Sequence, residues 1–231
     1  MLQQTEIETV YRSDDVIVVN KPPFIPTSPL GDNGDELCLV SLVRRFEPRI
    51  MVPVGRLIRE GGLIHRLDTP TRGLVLFALT QEAYDDLIAQ QKHDRIIKQY
   101  RATFTGRTDA LPEGFPPYEG FDPAHECGVI TSYFRSYGPR GASVRPALSA
   151  GAKRCSGTLY STQCEVESPH SVICTISRGF RHQIRCHMAW AGYPLEGDVR
   201  YGGTGSDRFG LEAIGLSFCD PANGTNVTVT L

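Results

Sequence analysis

The stretch LIHRLDTPTRGLVLFA, Leu63 to Ala78, holds one acid, Asp68, between Arg66 and Arg72 and ahead of a Gly-led apolar run. Within ten residues on either side the only other carboxylate is Glu60. A carboxylate at the edge of a buried strand needs a cation or several N–H donors, or its pKa rises and it neutralises. Two more segments offer reactive groups. In SRGFRHQIRCH, Arg181 and Arg185 are four apart, which predicts one shared helix face near a helix N-terminus, a favourable place for anions. In IIKQYRATFTG, Tyr100, Ala102 and Phe104 share one strand face and Lys98 begins the row. Each group taken singly has a plainer explanation. Asp68 fits a loop cap or surface ion pair, Tyr100 a core or edge-strand aromatic, and Arg185 a helix-face salt bridge.

These groups must be held by the elements around them. DDVIVVNKPPF (Asp14–Phe24) reads as a β-branched strand stopped by Pro22 and Pro23. DELCLVSLVRRF (Asp35–Phe46) has helical spacing, with Asp35 as the expected cap. RGLVLFALT (Arg72–Thr80) is a continuous apolar run and predicts a buried strand. TQEAYDDLIAQQKHDR (Thr80–Arg95) carries acids early and Lys92 and Arg95 late, the sign order that favours a helix dipole. Residues 107–150 are rich in Pro and Gly and predict loop, an insertion with a short strand at Val129–Phe134. GTLYSTQCEV and SVICTIS predict hairpin-related strands. FRHQIRCHMAWAGYP (Phe180–Pro194) predicts a helix with Ile184, His187 or Met188, and Ala191 on one stripe, closed by Gly192 and Pro194. YGGTGSDRFG (Tyr201–Gly210) lacks the Walker G-K-S/T ending and reads as a loop. Strands and helices in this alternation predict one mixed-sheet α+β domain over residues 1–231.

The chain has 231 residues, 40% hydrophobic and 22% charged, enough to bury a core without disulfides or metal. Net charge is −2, and pI is about 6.3. A polyanionic partner would therefore have to meet local clusters: Arg44 and Arg45, Arg56 and Arg59, Arg66 and Arg72, and Arg178, Arg181 and Arg185. Seven cysteines with no CxxC pair suggest neither zinc nor a complete disulfide set, and fit reduced thiols in a cytoplasmic protein. No leader sequence or membrane-length apolar run is visible, so no membrane partner is expected. The sequons at Asn223 and Asn226 are then expected to be unused.

Five segments in order carry a family resemblance. HRLDTPTRGLVLFAL resembles the H-R-L-D-x-x-T-S-G-L motif of the RluA-type RNA pseudouridine synthases. VIVVNKPPFIP resembles their N-K-P loop, and KQYRATFTG their K-x-Y-x-A segment. RGFRHQIRCHMAWAGYPLEGDVRYG resembles G-R-T-H-Q-I-R-x-H followed by G-H-P-I-x-G-D-x-x-Y-G. GLEAIGLSFCDP resembles the closing L-H-A-x-x-L-x-F-x-x-P. The likeness spans roughly residues 16 to 221. Three positions depart from it: Arg72 within T-S-G, Phe180 within G-R-T-H, and Glu212 within L-H-A. No S4-like module precedes residue 16, so the expectation is a short form built on the catalytic domain alone.

The resemblance implies a pseudouridine synthase fold and an activity. Uridine in RNA is isomerised: the N1–C1′ bond breaks, the uracil turns while held, and C5 bonds to C1′. No redox cofactor or metal is implied. Asp68 is implied as the single carboxylate, either attacking C1′ or removing the 2′ proton. Arg185 is implied as its salt-bridge partner. Tyr100 would stack on the uracil and place its hydroxyl for proton transfer at C5. The uridine must leave its stack; Arg66 would fill the vacated space, while His65 and Thr71 shape the loop. Lys21, Arg72, Arg178 and Arg181 would contact phosphates, with His182 and Ile184 on the substrate side. The expected partner is an rRNA or tRNA stem-loop, met by a monomer. Two other functions compete: a catalytically silent RNA-binding protein of the same fold, and a hydrolytic N-glycosidase, which would release free uracil.

Overall fold

The computed structural model describes residues 6–29, 36–151 and 154–231. In chain order the elements are β1 (Glu8–Arg12), β2 (Val16–Lys21), α1 (Leu39–Arg44), β3 (Arg72–Ala78), α2 (Gln81–Lys92), β4 (Ile97–Thr103), β5 (Gly128–Tyr137), β6 (Ser143–Ala147), β7 (Tyr160–Ser168), β8 (Ser171–Ile176), α3 (Gln183–Trp190), β9 (Leu211–Cys219) and β10 (Asn226–Thr230). The fold class is α+β, on largely antiparallel sheet. The chain forms two compact units, Met1–Lys98 with Ala213–Leu231, and Gln99–Glu212.

In the first unit the strands run β1–β2–β3–β9, with β10 also on β9. The apolar run in β3 is continuous because both faces are covered: Gly73 to Ala78 are all buried. Val16, Val18, Leu74, Leu76, Leu216 and Phe218 form the core with Ala83, Tyr84 and Leu87 of α2. Thr80 caps α2 by accepting from the Ala83 amide at 3.2 Å. Gln90 of α2 bonds both backbone groups of Cys219, accepting at 2.9 Å and donating at 2.8 Å, which anchors the helix to the end of β9. Asp35, expected to cap α1, lies outside the described residues; Cys38 and Ser41 instead form a reciprocal cap, at 3.4 and 3.0 Å.

The second unit orders its strands β4–β8–β7–β5–β6. Along β4, whose first residues close the first unit's segment at Lys98, the side chains of Lys98, Tyr100 and Ala102 are buried and alternate with more exposed residues, as its spacing predicts. The strand expected at Val129–Phe134 is present within β5, but the loop expected over the rest of 107–150 needs correction. β5 runs for 10 residues and pairs with β6 from Tyr133↔Ala147 to Tyr137↔Ser143. Pro146 hid β6 from sequence reading, and an edge strand tolerates it. The segment before β5 is irregular yet packed: Trp190 Nε1 donates to the Pro116 carbonyl at 2.8 Å, and Tyr193 donates to Asp122 at 2.9 Å.

Helix α3 also differs from expectation. It begins at Gln183, after a left-handed His182 (φ 57°). Arg181 is therefore outside it and does not share a face with Arg185. All eight residues of α3 are buried, so there is no amphipathic stripe. Its polar side chains must find partners inside. Gln183 donates to the Ser161 carbonyl at 2.8 Å and to Thr162 at 3.1 Å. His187 bonds Ser132 at 3.0 Å and Thr162 at 2.9 Å.

Two predictions follow from burial and backbone. Gly73 has φ +120°, and a Cβ there would lie 2.2 Å from the Ala213 carbonyl oxygen. Gly73→Ala should cost about 2–4 kcal/mol of stability from strain and overpacking, read as a lowered thermal midpoint. Burial lowers the His187 pKa to about 3. Its folded value lies below its unfolded one, so this group's stability is present above about pH 6.5 and is lost as pH falls towards 3. Denaturant unfolding between pH 7 and 4 should show this slope, at most about 1.4 kcal/mol per pH unit from this group, and His187→Asn should reduce the total slope by that amount.

Candidate active site

Asp68 stands at the tip of a hairpin-like reversal. Residues 62–64 run antiparallel to β3: the Ala78 amide donates to Gly62 at 2.8 Å and the Ile64 amide to Leu76 at 3.1 Å. Thr27 Oγ1 then fixes Leu67, accepting from its amide at 3.1 Å and donating to its carbonyl at 2.7 Å. The Thr71 amide donates to the Asp68 carbonyl at 3.0 Å, closing a turn through Thr69 and Pro70. Asp68 is thus pinned on both sides, and its residue is half-buried.

Lys21 was expected to touch phosphate. The structure corrects this: Lys21 is 0% exposed. It lies opposite Gly73 in the β2–β3 register. Its ammonium donates to the carbonyls of Pro22 (2.9 Å), Ile25 (2.7 Å) and Thr69 (3.2 Å). One group therefore joins the N-K-P loop to the Asp68 turn. Burial lowers its pKa to about 8, against the opposing pull of the Asp68 charge.

The neighbours of Asp68 are equally constrained. His65 Nε2 accepts from the Leu76 amide at 3.3 Å, which puts the neutral ring's proton on Nδ1. Burial first, and the Lys98 charge second, lower its pKa to about 3, so the ring is neutral at pH 7. His65 Nδ1 and Thr71 Oγ1 are buried without a hydrogen-bond partner among the described residues. Two such atoms flanking Asp68 cost stability, about 1–3 kcal/mol each, and native proteins keep such costs mainly at functional sites. Arg66 is exposed, reaching back to buried Glu60 at 3.4 Å. Arg72 is exposed at the start of β3.

In the second unit, Tyr100 is 7% exposed on β4. Arg178 and Arg181 are exposed between β8 and α3, and Arg181 donates to the Gly141 carbonyl. His182 Nδ1 lies 3.0 Å from the Tyr201 hydroxyl. Ile184 and Arg185 are buried in α3. Arg185 makes a fork with Asp198, Nε to Oδ2 at 2.7 Å and Nη2 to Oδ1 at 2.8 Å. Sequence reading singled out no role for Asp198, although it stands in the GDVRYG segment that carried the resemblance. Two of the three departures find partners here. Phe180 stacks on Phe134 at 5.0 Å. Glu212 lies 3.5 Å from Arg101, which also pairs with Glu167 at 2.8 Å. Among the described residues no group of three or more His, Cys, Asp or Glu is placed to hold a metal ion, and no helix is long and apolar enough to cross a membrane.

A family model described as RNA pseudouridylate synthase matches residues 15–190. The chain is 29% identical over 201 residues to the ribosomal large subunit pseudouridine synthase D of Buchnera aphidicola subsp. Schizaphis graminum, covering 87% of this chain and 56% of that one. It is 28% identical over 240 residues to the protein of that name from Vibrio cholerae, covering 96% and 66%. The chain thus spans between about half and two thirds of these relatives' length. Among solved structures, human RNA pseudouridylate synthase domain containing 1 aligns with a TM-score of 0.70 at 22% identity, over 99% of this chain and 84% of that one. Human RNA pseudouridylate synthase domain containing 4 aligns with a TM-score of 0.65 at 17% identity, over 96% and 87%. At such identities the structural likeness is one of fold. The family match runs through the HRLD turn, the KQY strand and the HQIR helix, and on that ground the chain belongs to the RNA pseudouridylate synthase family.

Proposed function

We propose that this chain isomerises uridine in structured RNA to pseudouridine, without a cofactor, using Asp68 as its reacting carboxylate. The observation that carries this reading is the family match over residues 15–190, which contains Asp68, Tyr100 and Arg185 in their expected order. The braced turn beneath Asp68 supports it, because a carboxylate that must meet one sugar carbon needs a fixed location. On this reading the N1–C1′ bond breaks, the detached uracil rotates in place, C5 joins C1′, the C5 proton leaves, and N1 takes up a proton, so that no atom is gained or lost overall. Arg185 balances the carboxylate's charge and Tyr100 faces the uracil. The relatives' name, which refers to the ribosomal large subunit, makes that subunit's RNA the first substrate to try. A cytoplasmic monomer suffices for such a reaction.

Charge distribution supports an RNA partner. Between Glu126 and Glu165 the sequence has five basic residues and no acid. Within this stretch Arg135 lies directly opposite Arg145 across β5 and β6. Like charges facing each other weaken a strand pair, and a polyanion laid over them would reverse the cost. Arg181, tied to Gly141 between these strands, adds to the same basic hairpin.

The test is Asp68→Asn. It should abolish tritium release from RNA labelled at uridine C5, while RNA affinity stays within about threefold because phosphate contacts dominate binding. Continued tritium release would remove Asp68 from the chemistry. Appearance of free uracil in the wild-type reaction would replace isomerisation with hydrolysis.

A further inference from the structure

Arg185 hangs on a long side chain, and a helix position alone does not fix where its guanidinium points. We propose that Asp198 is a positioning residue, which sets the plane of the Arg185 guanidinium and thereby the geometry of the reacting centre. This rests on the reading that Arg185 serves the reaction.

The guanidinium is held along one edge and lies over two aromatic rings. Asp198 takes the Nε edge through two parallel bonds, at 2.7 and 2.8 Å. A bidentate fork of this kind fixes orientation as well as charge. The Arg185 Cζ lies 5.2 Å from the ring centroid of Tyr201 and 5.2 Å from that of Phe209. Both members of the pair are shut away from solvent, their side chains 6% and 1% exposed. Tyr201 is itself fixed: its hydroxyl accepts from the Val144 amide at 3.0 Å and meets His182 Nδ1 at 3.0 Å.

Asp198 is built in with similar care. Its carbonyl accepts from the amides of Tyr201 (3.0 Å) and Gly203 (2.9 Å), and its own amide donates to Leu195 at 3.1 Å. A Cβ on Gly203 would lie 2.0 Å from the Leu195 carbonyl oxygen, so this close turn requires glycine. Stability alone gives weak grounds for such a pair. A buried ion pair is often matched or bettered by apolar side chains of similar volume, because both charges lose their water. Its value lies in holding a charge at a fixed place and angle, as pre-organised electrostatic catalysis requires.

The experiment uses Asp198→Asn, Asp198→Glu, Arg185→Met and the double variant Asp198→Asn/Arg185→Met. Each is assayed for pseudouridine formation well below its own thermal midpoint, so that unfolding does not enter the rate. Asp198→Asn should lower kcat about 100-fold, the scale of a misplaced reacting group, with KM within about threefold. Asp198→Glu keeps the charge but moves the fork by one methylene, and should also lose kcat at a near-normal midpoint. The double variant should be no slower than Arg185→Met, because both changes act through one guanidinium. The Arg185 Nε–H resonance, protected from exchange in the wild type, should lose that protection in both Asp198 variants. Full kcat in folded Asp198→Asn or Asp198→Glu, alongside an inactive Arg185→Met, would overturn the positioning role and leave the proposed activity standing. A rise in KM alone, or strictly multiplicative losses in the double variant, would overturn it too. Full kcat in Arg185→Met would instead remove Arg185 from the reaction, and the inference with it.

Discussion

The architecture around Asp68 hangs on one buried ammonium bound by three backbone carbonyls. Lys21 contributes no ladder beyond its own strand, yet it fastens the loop after β2 to the turn before β3. Desolvating a lysine this fully is expensive, as its lowered pKa shows. The three carbonyl dipoles offset part of that cost, and the charge of Asp68 offsets more. The consequence is a turn that cannot drift. Its Thr69 end is tied to a strand terminus whose register, Lys21 against Gly73, is set by the pairing of two largely buried strands.

The second unit solves a different problem. α3 is buried all round, yet Gln183, Arg185 and His187 are polar. Each must therefore be answered by a specific group on a neighbouring element, and each is. Such a helix has few alternative rotations or registers, because any slip leaves a polar group unpaired in the interior. The Q-I-R-C-H spacing is thus a packing specification as much as a chemical one. It explains why the middle residue of the three is so tightly oriented.

The sequence was most legible where one local force dominates. β2, β3, α2 and the β7–β8 hairpin were readable from apolar runs, turn residues and charge order, and they lie where expected. The residues around Asp68 were readable through the motif. Three kinds of feature were not. Pro146 concealed β6, since only its place at the edge makes a proline acceptable there. The start of α3 was misjudged because His182 adopts a left-handed backbone, which residue type alone does not announce. Lys21 and Asp198 were opaque for a shared reason: their partners are carbonyls or an arginine distant in the sequence, and only the folded backbone brings these within reach. Lys21 in particular, as a phosphate contact, would have to be exposed, which is the usual state of lysine.

The strand that sequence reading missed also guards the molecule. β6 ends the strand order of its unit, an edge to which another chain could add, although the Val144 amide there is already taken by the Tyr201 hydroxyl. Pro146 lacks one of the amides such a guest would need, and Arg145 sets a charge beside it. That edge thus carries a missing amide and a pair of opposed arginines, both of which disfavour pairing with a guest strand.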